Sequence, residues 1–376
     1  MNIPLLDLTR QFKEIKTDIM NYLESVCDSQ QFILGKEVEA LESDICTFIG
    51  AKHSVGVTSG TDALIMGLKA LGVGEGDEVI TTPYSFFATA SSIARVGAKP
   101  IFVDVEKNSF NIDCSKIQSA ITKKTKAIMP VHLFGQCADI SYILDIAKAN
   151  NISVIEDCAQ SIGATFQDKQ SGTFGEVGCF SFFPSKNLGA FGDGGLVSTN
   201  SQDIYQTLKM DRVHGSKIKY YHEFIGGNFR LDALQAGVLR IKLRLLNSWT
   251  EGRRRNAKLY QELLNRDSKE NNISSYINLP QELPERYHVY NQFCITAENR
   301  DELAKFLKES GIGVEMYYPL PLHLQKCFEY LGYKEGDFPI AEELAKTSLA
   351  LPIFTELTTD EISYVFSKIK EFYVGK

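Results

Sequence analysis

The sequence predicts an α/β protein, with a mostly parallel sheet covered by helices in a large N-terminal domain and a smaller C-terminal α+β domain. Three observations predict it. From Ser54 to about Thr199, short apolar runs alternate with helix-like segments, the pattern of βα units whose strands are buried on both faces. From Leu231 that alternation gives way to LDALQAGVLRIKLRLLNSWTEGRRRNAKLYQELLN, a long run with helical apolar spacing that reads as a connecting helix. At 376 residues the chain also exceeds what one simple core usually supports. The boundary is placed to give a large domain of residues 1–245 and a small one of residues 246–376.

The elements follow in order. EVITTP reads as a strand, FFATASSIARVG as a helix, KPIFVDV as a strand and CSKIQSAI as a helix. KAIMPVHLFG then reads as a strand, ISYILDIAKANN as a helix and ISVIEDC as a strand. Beyond the long helix, HVYNQFCITA, RDELAKFLKESG, GVEMYYPLP and TTDEISYVFSKIKEFY read as strand, helix, strand and final helix. In such a sheet functional residues sit in loops at the carboxyl ends of strands.

Hydrophobic residues make up 44% and charged residues 23%, ordinary globular values. A net charge of −7 argues against a general nucleic-acid binder, which needs clustered Lys and Arg. The start MNIPLLDLTRQFKEIK has no basic leader followed by an apolar stretch, and no segment approaches a bilayer-spanning apolar run. The expectation is a cytoplasmic protein with neither a membrane nor a nucleic acid as partner. The eight cysteines are scattered without a C-x-x-C pair, so reduced core cysteines and no metal site are expected.

Three stretches carry chemistry together. In VTSGTDAL an apolar strand runs into Ser-Gly-Thr-Asp and then a helical pattern. Free N–H groups and the helix dipole make such a junction an anion site, to which the Ser59 and Thr61 hydroxyls could add donors; standing alone, the motif reads rather as a plain helix cap. ISVIEDCAQSIGA ends a strand at Glu156 and Asp157, with Gln160 following. An acid there could hold a ribose hydroxyl, cap a helix or pair with a protonated ring nitrogen. SFFPSKNLGAFGDGG sets Lys186 at the end of an aromatic strand, followed by Gly189, Gly192, Gly194 and Gly195. A lone lysine is ordinarily a solvated charge, but a desolvated amine can form a Schiff base. Glycines would let the backbone pass close to a cofactor in conformations closed to other residues. Anion loop, strand-end acid and lysine, in that order, are what pyridoxal 5′-phosphate (PLP) requires.

On these residues the chain resembles the PLP-dependent sugar aminotransferases of the DegT/StrS type, within the aspartate-aminotransferase-like fold. The likeness spans nearly the whole chain: PLLDL, QFILGKEVEALE, TSGTDAL, GVGEGDEVITTP, PVHLFGQ, IEDCAQSIGA, SFFPSKNLG, GDGG, GGNFRLDALQA and DFPIAEELAKTSLALPIF. It implies the PLP-dependent transferase fold type I, with a mostly parallel seven-stranded sheet. It implies Lys186 as the Schiff-base lysine, Asp157 as the pyridinium partner, Gln160 beside the ring hydroxyl, and Gly60 and Thr61 on the phosphate, helped by Ser181. Phe86 would stack on the ring. Asn228 would reach the phosphate of a partner subunit, which implies a homodimer with shared active sites. Thr355 stands where the family often has proline, away from the chemistry.

The resemblance also implies ping-pong transamination, with glutamate as donor and a nucleotide-linked keto-sugar as acceptor. PSKNLGxxGDGG is the form of the 3-aminotransferases, whereas 4-aminotransferases carry a GEGG-type turn. Amination at carbon 3 of a UDP-linked 2-acetamido-3-keto hexose, serving cell-surface polysaccharide or lipopolysaccharide biosynthesis, is therefore expected. The rivals are a 4-keto-sugar aminotransferase, a 3-dehydratase, against which Lys186 argues because that branch carries histidine there, and a non-catalytic PLP-fold regulator. His214, with Lys217, Lys219, Tyr220 and Tyr221 nearby, is a candidate for the diphosphate-sugar pocket or else part of a solvated basic loop. Tyr317 and His323 are candidates to face the sugar, a packed domain-junction role being the alternative for His323.

Overall fold

The computed structural model describes residues 1–375, apart from the side chains of 268–271; residue 376, the last of the expected small domain, lies outside the described residues. Seven strands form the large sheet: β1 (His53–Val57), β2 (Glu78–Thr81), β3 (Lys99–Phe102), β4 (Thr125–Ile128), β5 (Ser153–Asp157), β6 (Val177–Ser181) and β7 (Gly195–Thr199). Their spatial order is β1-β7-β6-β5-β4-β2-β3. Neighbours run parallel except at β7, which is antiparallel to both β1 and β6. The central strands are buried on both faces, which is why they read as continuous apolar runs.

The helix Gly60–Ala70 covers one face, with Ala63 to Leu68 all buried. Leu64 and Met66 pack with Ile155, Val177 and Val197, at roughly 1.5–3 kcal/mol for each large apolar side chain removed from water. At Gly67 any Cβ would stand 2.7 Å from Ile155 Cδ1, so the helix lies directly on the sheet. The other face is covered by Lys36–Ile49 and Ala233–Leu243, whose Leu41, Ile45 and Leu239 meet Phe180, Phe182 and Leu196. This packing fixes the amino end of Gly60–Ala70 against the carboxyl ends of β1, β5 and β6. The anion loop, Asp157 and Ser181 therefore stand along one edge of the sheet.

Several elements depart from expectation. The run from Leu231 is two helices, Ala233–Leu243 and Leu246–Asn271, because the chain turns at Arg244 and Leu245. The first then packs on the large sheet, while Ala257 and Tyr260 of the second reach a separate core. That core surrounds an antiparallel sheet of β8 (Ile277–Asn278), β9 (Phe293–Ala297) and β10 (Ser348–Leu351), in that order. GVEMYYPLP is not a ladder strand: Glu315 makes an isolated bridge to Ala350. Pro319 and Pro321 lack N–H groups, and the Tyr84 hydroxyl satisfies the backbone of Tyr317 and Tyr318. The third strand comes instead from SLAL. CSKIQSAI forms only a 3-10 turn, Cys114–Lys116, and one helical turn, Ile117–Ala120. A hairpin, Thr165–Phe166 with Lys169–Gln170, pairs with Arg286–Tyr287 and has no counterpart in the expected elements. Cys27 and Cys327 are exposed rather than in the core. Among the described residues, no helix is long and apolar enough to cross a membrane.

Candidate active site

At the end of β1, Ser59 is the N-cap of Gly60–Ala70. Its Oγ accepts from Asp62 N at 3.1 Å and donates to Asp62 Oδ2 at 3.0 Å. Capping of this kind is worth about 1 kcal/mol, and it uses up the Ser59 hydroxyl, which therefore drops out as an anion donor. The Gly60 and Thr61 N–H groups lie in the first helical turn, where no intrahelical acceptor exists. The first helical bond is Ala63 N to Ser59 O. Ser181 is brought against this turn, since a Cβ on Gly60 would lie 2.6 Å from Ser181 Cβ. Gly60, Thr61 and Ser181 thus form a cradle of donors at the positive end of a buried helix.

Glycines hold the cradle in place by close approach to the chain itself. A Cβ on Gly195 would stand 2.4 Å from Ser59 O and 2.8 Å from Gly60 N, and one on Gly189 would stand 2.2 Å from Pro184 O. None of Gly189, Gly192, Gly194 and Gly195 has φ in the left-handed region, so the expected conformational need is replaced by a need for space. Gly195→Ala is therefore expected to cost about 1–3 kcal/mol by overpacking and to weaken cofactor retention. Thermal melting and a cofactor titration check this, and an unchanged melting temperature would refute the close-contact reading.

At the end of β5, Asp157 is 3% exposed. Its Oδ2 accepts from Thr89 Oγ1 at 2.8 Å and its Oδ1 from Ala159 N at 3.2 Å. With the Thr89 proton committed, Ser85 Oγ donates to Thr89 Oγ1 at 2.8 Å. Burial pushes the Asp157 carboxyl above its ordinary range, against the pull of Thr89, Ala159, Lys186 and His132. Lys186 feels the reciprocal field: burial pushes its amine down to about 8, with Asp157 acting the other way. The lysine is partly buried, and its Nζ makes no hydrogen bond or ion pair with the described residues. Its first-turn neighbour contact is through the backbone, Lys186 N to Phe183 O.

Gln160, 6% exposed, accepts from Phe134 N at 2.7 Å and donates to the Tyr318 hydroxyl at 3.2 Å. The Phe86 ring lies 6.3 Å from that of Tyr318 and is 59% exposed. Tyr317 lines a cavity together with Ser185. Asn228 and His214 are exposed, and the Asn228 side chain makes no hydrogen bond with the described residues. His323 does not join the group: it is 2% exposed, bonded through Nε2 to Glu342 at 3.1 Å and set edge-on to Phe338. This corrects the sugar-facing expectation in favour of a packed role.

Thr89, Tyr84, Tyr318 and Glu156 carry roles that the motifs did not reveal. Glu156 is fully buried and accepts from Gly172, Phe174 and Gly175 N–H groups at 2.8–2.9 Å. It also meets His132 Nε2 at 2.9 Å. Because His132 Nδ1 accepts from Ala138 N, the ring proton is on Nε2 and points to Glu156. His132, Glu156 and Cys158 have the closeness of metal ligands, but the histidine and carboxylate are already spent on each other and on backbone donors.

With this geometry in hand, comparison with known proteins gives consistent results. The sequence model of the DegT/DnrJ/EryC1/StrS aminotransferase family matches residues 13–370. A pleiotropic regulatory protein of Geobacillus stearothermophilus is 51% identical over 99% of both chains. A UDP-N-acetyl-3-dehydro-alpha-D-glucosamine 3-aminotransferase of Acidithiobacillus ferrooxidans is 41% identical, over 99% of this chain and 98% of its own. Among solved structures, S. venezuelae DesV in complex with a ketimine intermediate superposes with a TM-score of 0.94 at 36% identity, covering 99% of this chain and 98% of that one.

Proposed function

The chain belongs to the DegT/DnrJ/EryC1/StrS aminotransferase family, and from that premise we propose that it transfers an amino group from glutamate to carbon 3 of a UDP-linked 2-acetamido-3-keto hexose. It is a nucleotide-sugar aminotransferase of fold type I that uses PLP. The residues present fit that cofactor. The cradle of Gly60, Thr61 and Ser181 suits the phosphate, and among the described residues no cation is bonded to the buried Asp157 and none bonds the desolvated Lys186 amine. Bound there, PLP supplies an aldehyde and a ring that withdraws electrons when its nitrogen is protonated.

The chain's own residues do the rest. Asp157, oriented by Thr89, keeps a negative charge against the ring nitrogen and holds its proton. Lys186 Nζ takes the proton from the donor's amino-bearing carbon and returns one to the product, a task suited to a pKa near neutrality. Gln160 supports the ring's polar edge and is itself aligned by Phe134 N and Tyr318. The single observation that carries the reading is the desolvated Lys186 within the field of buried Asp157.

Carbon 3 is favoured over carbon 4 by the KNLGAFGDGG turn, and a panel of 3-keto and 4-keto sugar nucleotides offered with glutamate tests the choice. The reading places the product in cell-surface polysaccharide or lipopolysaccharide synthesis. One relative is named for regulation; on this reading Lys186, Asp157 and Gln160 would supply the catalytic roles, which argues against a non-catalytic regulator.

The functional unit proposed is a homodimer with shared sites. Supporting it are the large apolar side chains left exposed at Phe86 (59%) and Phe183 (53%), close in sequence to the site residues, together with the exposed Asn228. Such a two-fold interface lets each subunit complete the other's pocket. Mixing Lys186→Ala with Asn228→Ala chains is then expected to restore activity, because each mixed dimer holds one intact and one doubly damaged site. No recovery after verified subunit exchange would count against a shared site.

A further inference from the structure

The loop that carries Lys186 closes on itself. Lys186 N donates to Phe183 O at 2.9 Å and Ala190 N to Phe182 O at 2.8 Å, and a Cβ on Gly189 would stand 2.2 Å from Pro184 O. Leu188 and Ala190 pack in one cluster with Leu239 and Leu243 of the helix Ala233–Leu243. The same helix holds the loop by two polar side chains. Gln235 Oε1 accepts from Phe191 N at 2.7 Å, and Lys242 Nζ donates to Gly189 O at 2.6 Å. Seven residues apart, the two stand two turns along one helix face.

A lysine is a costly residue to place there. Lys242 is 4% exposed, and its amine meets Gly189 O and the face of the Phe191 ring, 4.8 Å from the centroid. No carboxylate among the described residues forms an ion pair with it. Burial pushes the amine down to about 8. A buried cation without a counter-charge costs free energy, and an unbranched apolar side chain such as methionine fills similar space without that cost. Packing therefore does not explain the lysine. What it adds is a charge-assisted bond to Gly189 O, three residues from Lys186 in a loop whose two ends are tied together.

We propose that Lys242, assisted by Gln235, is a positioning residue for Lys186: it pins the closed loop to the helix, so that the Lys186 amine stands where the cofactor's aldehyde and the reacting carbon arrive. The proposal rests on the reading of Lys186 as the residue that holds PLP. Misplacement by about 1 Å is enough to cost up to about a hundredfold in rate.

The test is covalent capture of PLP added to the apoprotein, followed by visible absorption. Lys186 Nζ attacks the aldehyde carbon, a C=N bond forms, and the aldehyde oxygen leaves as water with the two amine protons. Capture needs no amino donor, so it reads the loop whichever donor the enzyme takes. Lys242→Met, Gln235→Leu and Lys186→Ala are compared with the wild type, together with melting temperatures and the L-glutamate half-reaction of the loaded protein. For Lys242→Met, capture and the half-reaction kcat are each expected to fall about tenfold, with KM within about twofold. Its melting temperature should stay within about 3 °C, because the buried charge removed offsets the carbonyl left unpaired. Gln235→Leu should slow capture about threefold, and it decides the matter if Lys242→Met does not fold. A lower melting temperature with unchanged capture and kcat, the mark of a merely structural tie, would overturn the proposal, as would a loss carried by KM alone. If Lys186→Ala captures PLP as fast as the wild type, the reading of Lys186 fails and the proposal with it. If Lys186→Ala loses capture while the folded variants at 242 and 235 keep it, the proposal alone fails.

Discussion

Lys186→Ala is expected to abolish turnover, by about 10⁴-fold or more, because the variant loses both the nucleophile that holds the cofactor and the amine that shuttles the proton. The visible absorption of covalently held PLP should vanish with it. The fold should not suffer. In the folded protein burial holds the Lys186 amine at about 8, below the roughly 10.4 of an unfolded lysine. The folded state therefore binds this proton less tightly than the unfolded one, and the lysine costs stability fully below about pH 8, a cost that fades as pH rises toward about 10. Ligand-free Lys186→Ala should accordingly melt no lower than the wild type at pH 7. Capture of added PLP by the wild-type apoprotein should accelerate as pH rises through about 8. Stopped-flow absorbance and thermal melting read these outcomes, and near-normal activity in the variant would remove Lys186 from the chemistry.

Asp157→Asn should keep the fold and the cofactor yet lose at least about a hundredfold in rate, the scale of removing one preorganised electrostatic partner. Asparagine is nearly isosteric: its Oδ1 can still accept from the Ala159 N–H, while its Nδ2 donates to Thr89 Oγ1, which then turns its own proton to Ser85 Oγ. What goes is the charge that keeps the ring nitrogen protonated, and with it the ring's capacity to stabilise the carbanion formed at the donor carbon. If Asp157 were merely a local cap, the substitution would cost about 1 kcal/mol or less of stability and leave the kinetics almost normal. Half-reaction rates and melting temperatures on this one variant separate the two, and unchanged rates would strike Asp157 from the catalytic set.

The parts of the site legible in the sequence are those that a local rule marks. A strand buried on both faces is a continuous apolar run, so the residue that ends it stands out, as Asp157 and Ser181 do. A helix start leaves unpaired N–H groups by construction, so Gly60 and Thr61 were visible as an anion turn, although the Ser59 hydroxyl went to capping. Partners supplied from a distance left no local mark. Thr89 lies in the helix Ala88–Arg95, far along the chain from the strand that ends at Asp157, and the backbone donors of Glu156 come from the loop at Gly172 to Gly175. Glu156 and Asp157 are adjacent acids in the sequence, and only the folded chain separates a carboxylate saturated by backbone donors from one with a charge to offer. The same holds for the fold. The continuous helical pattern across Arg244 and Leu245 hides a break dictated by two cores. The apolar GVEMYYPLP resembles a strand until its backbone is seen to be satisfied by Tyr84. His323 could not be told from a sugar ligand until Glu342 and Phe338 were placed around it.

The most direct test of the central claim is to incubate the PLP-loaded protein with ¹⁵N-labelled L-glutamate and a UDP-linked 2-acetamido-3-keto hexose, then to read the sugar product by NMR. The account predicts that ¹⁵N appears on carbon 3 of the nucleotide sugar, with an equal amount of 2-oxoglutarate released. With the 4-keto counterpart offered in a parallel reaction, label at its carbon 4 but none at carbon 3 of the 3-keto sugar, or no transfer of label to either while Lys186 carries the cofactor, would contradict it.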